Sequence, residues 1–248
     1  IDGALDAIVR DLEAGRWDPA RLGAERLLAS HPEEPRALQC LGLAHYFAGN
    51  LPSAVQHLRQ AVALVPDDGD CQARLGVALQ DSLDFAGAIA AHERALALDP
   101  THASALNNLG LCLWNLGRSD KALAAYRSAI RLAPHFAEAR FNLGLALAGR
   151  GDMEAARAEL AQALALQPDR PQARLYLAAV LVELERGEEA ATHLNALRAT
   201  HGDEHWLLDS WRHLDRHRGP ATRVFFDGPG PVLRFALESA RLEGLVME

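Results

Sequence analysis

Apolar residues along this chain recur three and four positions apart, the spacing of one helix face, in stretches broken by Gly, Pro, Asn and Asp. That pattern itself repeats. Pro32, Pro66, Pro100, Pro134 and Pro168 stand 34 residues apart, as do Gly42, Gly76, Gly110 and Gly144. The same step links Leu41, Leu75, Leu109, Leu143 and Leu177, then Ala54, Ala88, Ala122, Ala156 and Ala190, and finally Ala61, Ala95, Ala129 and Ala163. Self-similarity at a fixed period of this length marks a repeat architecture.

Each residue type has a physical task at its place in the period. The Gly and Ala positions lack bulk, so two helices can approach closely there, and the Leu positions fill the seam between them. The Pro ends a helix and resets the chain, because it has no N–H and disfavours a helical residue before it. One unit is therefore expected to be a helical hairpin.

The segment "ASALNNLGLCLWNLGRSDKALAAYRSAIRLAPHF", residues 103–136, resembles a tetratricopeptide repeat. It carries that family's Leu109–Gly110 pair, the small residues Ala122 and Ala129, the aromatic Tyr126 between them and the closing Pro134. The resemblance covers residues 35–204 as five units, and residues 1–34 as a divergent first unit with Ala20 and Pro32 but Ile8 in the Gly place. The fifth of the five is eroded, with Ala178 for Gly and Gly202 for Pro. It implies an all-α fold: a right-handed superhelical α-solenoid of about six hairpins with a concave inner face. Such units cannot bury their apolar faces alone and must stack. Residues 205–217 present Leu207, Leu208, Trp211 and Leu214 as one apolar stripe and suit a C-terminal capping helix.

Composition narrows the function classes. The chain has 248 residues, 49% hydrophobic, and a formal net charge of −8, without the concentrated Lys/Arg footprint that nucleic-acid binding needs. No apolar run is long enough for a membrane span. Cys40, Cys71 and Cys112 are odd in number and lack metal-type spacing, which fits a reducing, cytoplasmic setting.

In the resembled family the first helix of each unit lines the concave face, and six places along it point inward. Carried over by position, the polar groove candidates are Arg36, Gln39, Arg74, Gln80, Asn107, Asn108, Asn115 and Asn142, and the aromatic ones Tyr46, Phe47, Trp114, Phe141 and Tyr176. Asn108 and Asn142 hold equivalent places one repeat apart, and a side-chain amide both donates and accepts, so such a row can bind an extended peptide backbone. The ladder has two rungs, since Cys40, Arg74 and Tyr176 hold the matching places. The same amides could instead satisfy neighbouring helix backbones, and aromatics at helical spacing are commonly core. The carboxylate clamp of chaperone-docking repeats is absent, because Gln39 and Leu43, Ala73 and Val77, and Asn107 and Leu111 occupy its Lys and Asn places.

Catalytic signals are lacking: there is no G-x-S-x-G turn, no phosphate-binding P-loop and no H-E-x-x-H. No catalytic residue and no cofactor is expected. His201 with His205 and His213 with His217 are each four apart, in a His-rich segment from 193 to 217, yet Gly202 interrupts the first pair and no metal site is expected. After a Gly/Pro-rich linker at 218–230, "PVLRFALESARLEG" reads as one more helix and "LVME" as an opening strand. That succession resembles the start of a class I S-adenosylmethionine-dependent methyltransferase domain of the macrocin O-methyltransferase type, without its Gly-rich loop. Two readings follow. One is a non-catalytic protein-interaction scaffold that binds an extended peptide or partner protein, or pairs with itself. The other is the regulatory or substrate-presenting arm of a bacterial methyltransferase, with the following domain beginning near residue 231.

Overall fold

The computed structural model describes residues 1–201, and all regular structure among them is α-helical. Twelve helices follow one another: α1 (Asp2–Glu13), α2 (Trp17–Ser30), α3 (Pro35–Phe47), α4 (Leu51–Leu64), α5 (Gly69–Asp81), α6 (Phe85–Leu98), α7 (Ala103–Asn115), α8 (Ser119–Leu132), α9 (Ala137–Gly149), α10 (Met153–Leu166), α11 (Pro171–Glu183) and α12 (Gly187–His201). From α3 onward the first helices begin at Pro35, Gly69, Ala103, Ala137 and Pro171, and the second at Leu51, Phe85, Ser119, Met153 and Gly187. Both series advance by the 34 residues of the sequence repeat. The period is the length of one helical hairpin with its link.

Local chemistry sets the helix ends. Asn50, Asp68 and Asp84 cap α4, α5 and α6 by accepting the backbone N–H of Ser53, Cys71 and Gly87 at 3.3, 2.9 and 2.9 Å. The Nδ1 of His102 does the same for α7, accepting from Ala105 N–H at 3.1 Å. Pro32, Pro66, Pro100, Pro134 and Pro168 each lie two residues past a second helix, where a proline can no longer break helical hydrogen bonds. Between the helices of a hairpin the chain turns through a left-handed residue, at Gly15, Gly49, Leu83, Gly117, Gly151 and Glu185. Leu83 and Glu185 adopt φ of 63° and 61° there without glycine's freedom.

The chain divides into two compact units, the first spanning Ile1–Arg118 and the second beginning at Ser119. In the first, α1, α3 and α5 pack on α2, α4 and α6, and the first helices also touch one another in order, α1 with α3, α3 with α5 and α5 with α7. No two second helices form a comparably close pair among the described residues of this unit. Its first helices are thus the inner, crowded row and its second helices the outer, splayed one. The second unit repeats the arrangement, with α9 on α10, α11 on α12, and α9 touching α11.

The seam inside each hairpin pairs a glycine with a large side chain. A Cβ on Gly42 would lie 2.7 Å from Leu58 Cγ, and one on Gly144 would lie 2.7 Å from Leu160 Cγ. Leu58 and Leu160 are fully buried, each worth about 2–3 kcal/mol of apolar transfer. Ala54, Ala61, Ala88, Ala95, Ala156 and Ala163 are likewise sealed. The first hairpin inverts the pairing. Ile8 fills the Gly place on α1, and the facing helix α2 answers with Gly23 and Ala24, a Cβ on Gly23 lying 2.9 Å from Ile8 Cγ1. Ile8 and Ala24 are both buried, so the seam of this hairpin is filled with the bulk on the opposite helix.

Candidate functional site

In the first unit the inner row holds its polar side chains in a lattice that joins neighbouring hairpins. Arg74 on α5 donates from Nη1 to Gln39 Oε1 on α3 at 2.5 Å, and Gln39 Nε2 donates to Asp68 Oδ2 at 3.0 Å. Tyr46 at the end of α3 donates its hydroxyl to Asp81 Oδ2 on α5. Cys112 on α7 donates its thiol to Gln80 Oε1 on α5 at 3.4 Å. The Gln39–Arg74 and Tyr46–Asp81 links join residues 35 apart in sequence, so α3 sets a residue beside the one that follows the equivalent place in α5.

Burial sorts the sequence candidates. Arg36 and Arg74 are exposed, and Tyr46, Asn108 and Trp114 are half-buried on the same row. Gln39, Gln80 and Asn107 are buried, with Asn107 Nδ2 donating to Asn108 Oδ1 at 3.3 Å. These three form the floor beneath the exposed groups and offer little surface of their own. Asn115 is exposed and donates to the Leu111 carbonyl of its own helix at 2.9 Å, the use of an amide to satisfy helix backbone. In the second unit Phe141 and Tyr176 are buried and pack edge to face at 5.6 Å, with the Arg170 guanidinium 4.3 Å from the Phe141 ring centre. Asn142 is half-buried on α9.

Some contacts were not legible as pairs in the sequence. Phe47 is 50% exposed and stacks on Trp17 of α2 at 4.6 Å, while Tyr46 meets Phe47 edge to face at 5.2 Å. Three aromatics, two from α3 and one from α2, therefore meet at the end of α3, and Asp81 accepts from Tyr46 there. Burial and then the bond to Asp81 push the Tyr46 phenol up, so it stays a hydrogen-bond donor throughout the physiological range. The cysteines are buried and free, and burial pushes the Cys71 thiol up to about 11 and that of Cys112 to about 12. Neither is a poised nucleophile.

Among the described residues no group of three or more His, Cys, Asp or Glu side chains is placed to hold a metal ion. His45 and His57 stack in parallel at 5.3 Å. The side chain of His201, the histidines at 205, 213 and 217, the capping helix at 205–217, the linker and the segment from 231 all lie outside the described residues. No described helix is long and apolar enough to cross a membrane.

Known proteins place this architecture. Family models described as "Tetratricopeptide repeat" match residues 5–69 and 74–135, and again 114–181. No functionally curated protein matches the chain in sequence. Among solved structures, MamA is 29% identical with a TM-score of 0.59, covering 64% of this chain and 93% of its own. PilW, titled a widely conserved type IV pilus biogenesis factor, is 20% identical with a TM-score of 0.78, covering 85% of this chain and 97% of its own. The Cut9–Hcn1 hetero-tetramer of the APC/C gives a TM-score of 0.75 at 20% identity, over 87% of this chain and 42% of that one. These likenesses fit an all-α repeat solenoid. The methyltransferase resemblance has no counterpart in the family matches, which end at residue 181. With family models covering more than half its length, the chain belongs to the tetratricopeptide repeat family.

Proposed function

We propose that this chain is a non-catalytic interaction scaffold, working in the cytoplasm, whose inner row of first helices receives an extended segment of a partner protein. The observation that carries this reading is the state of that row in the first unit. Arg36 and Arg74 are exposed while Tyr46, Asn108 and Trp114 are half-buried; Arg74 and Asn108 are bonded to buried neighbours and Tyr46 to half-buried Asp81. Groups already held in one rotamer lose little entropy when a ligand docks, so more of the contact energy appears as affinity. Asn108 on α7 of the first unit and Asn142 on α9 of the second are each a side-chain amide suited to bonding a peptide backbone irrespective of its sequence.

The test is partner recovery by the full chain and by the Asn108→Ala, Asn142→Ala double variant, from the same cell extract. Loss of the recovered partner with helicity unchanged supports the amide row. Equal recovery contradicts it.

A further inference from the structure

On this inner row, one charge is held apart from its natural counter-ion. Arg74 is oriented by a single N–H donated to Gln39, and Gln39 is buried at 6% exposure with its own amide donated to Asp68. Asp68 also accepts the Cys71 N–H at 2.9 Å as the cap of α5. A neutral amide therefore stands between the carboxylate and the guanidinium. Direct pairing of Asp68 with Arg74 would cancel the charge. The spacer leaves Arg74 held by one bond, exposed, and with no ion pair among the described residues.

A second guanidinium lies on the neighbouring first helix. Arg36 stands three residues before Gln39 on α3, and its carboxylate neighbour Asp2 is 3.7 Å away, with both side chains largely exposed. The buried Cys40 thiol beneath feels both Arg74 and Arg36, which oppose the upward push of burial on it. Of the other acids near these arginines, Glu34 caps α3 with its Oε1 accepting the Arg36 backbone N–H at 3.3 Å, and Asp70 faces His102 Nε2 at 3.5 Å. Arg36 and Arg74 are two forked donors, of which Arg74 has no ion pair among the described residues, and a guanidinium left so complements an anionic side chain.

We propose that Arg36 and Arg74 form a carboxylate-binding subsite on the inner wall of the first unit, anchoring an Asp or Glu side chain of an extended peptide. The proposal rests on the reading of that wall as a peptide site. It differs from the absent chaperone-type clamp in using other places of the first helices, with Arg74 set by a buried glutamine.

The test is selection of a displayed random dodecapeptide library on the full chain, in parallel with Arg74→Gln and Arg36→Gln, each variant checked for unchanged helicity. The expected result is enriched peptides with an Asp or Glu at one fixed position, a preference that Arg74→Gln abolishes. A selected peptide should lose about tenfold in affinity when its acid is replaced by the matching amide, and the variants should not respond to that replacement. Enriched peptides with no acidic position would overturn the subsite and leave the peptide-wall reading standing. Enrichment no better than on a blank matrix would overturn both, and an acidic preference that survives in both variants would overturn the assignment to Arg36 and Arg74.

Discussion

The imidazole of His92 fills the space that Gly76 leaves open: a Cβ on residue 76 would lie 2.5 Å from its Cε1 and 2.6 Å from its Nδ1. The ring holds the place that Leu58 and Leu160 hold in their hairpins, yet it is fully buried and neither nitrogen has a hydrogen-bond partner. Gly76→Ala therefore forces α5 and α6 apart and should cost about 1–3 kcal/mol by overpacking, read as a lower urea midpoint. Gly3→Ala, where a Cβ meets nothing within 4 Å, is the control and should change little.

Acid should find the same spot. Burial, helped by the charge of His102, depresses the His92 pKa from 6.5 to about 4. The unfolded chain then takes up a proton at pH values where the folded chain does not. Stability from this group is full above pH 6.5 and falls as pH drops through the window down to about 4. The whole window amounts to about 3 kcal/mol. His92→Leu should remove that component, so the difference in stability between variant and native chain should widen from pH 7.5 to pH 4.5. A constant difference across that range would contradict the assignment.

At the hairpin turns, glycine stands at four of the six left-handed positions, and Leu83 and Glu185 hold the other two. Leu83 is also 55% exposed, so its side chain gains little from burial in return for the strained backbone. Leu83→Gly and Glu185→Gly should each be neutral to stabilising by up to about 1 kcal/mol, against the usual cost of introducing glycine. Thermal melts of the two variants check this, and a clear loss in both would count against the turn geometry.

The inverted first hairpin gives a coupled prediction. Ile8→Gly opens a cavity and Ala24→Leu overfills the seam, and each alone should destabilise by about 2 kcal/mol or more. The double variant restores the Gly–Leu pairing of the later hairpins and should recover part of the loss, leaving a coupling energy of about 1–3 kcal/mol. Simple additivity would mean that Ile8 and Ala24 do not share one packing site.

How far the sequence reveals this molecule depends on whether a residue's task is local to its hairpin. Gly42, Ala54 and Pro66 are legible because close approach, seam and chain reset each demand one residue type at one place, every 34 residues. Ile8 reads as erosion until Gly23 and Ala24 are seen opposite it, since the bulk has moved to the facing helix. The inner row is legible only in outline. The period places Gln39 and Asn107 on it, but their burial depends on how far one first helix sinks against the next. The pairing of Tyr46 with Asp81 and Gln39 with Arg74 follows an offset of 35 residues, one more than the repeat, between α3 and α5. Trp17 against Phe47 joins a second helix to a first helix of the next hairpin, and no periodic pattern announces it.

The central claim is that the row of first helices is the surface that receives a partner. A photo-crosslinking amino acid placed in turn at Asn108 on the inner row and at the exposed Glu93 on the outer helix α6 tests it most directly. The account predicts a crosslinked partner from position 108 and none from position 93. Crosslinking from position 93 alone would contradict it.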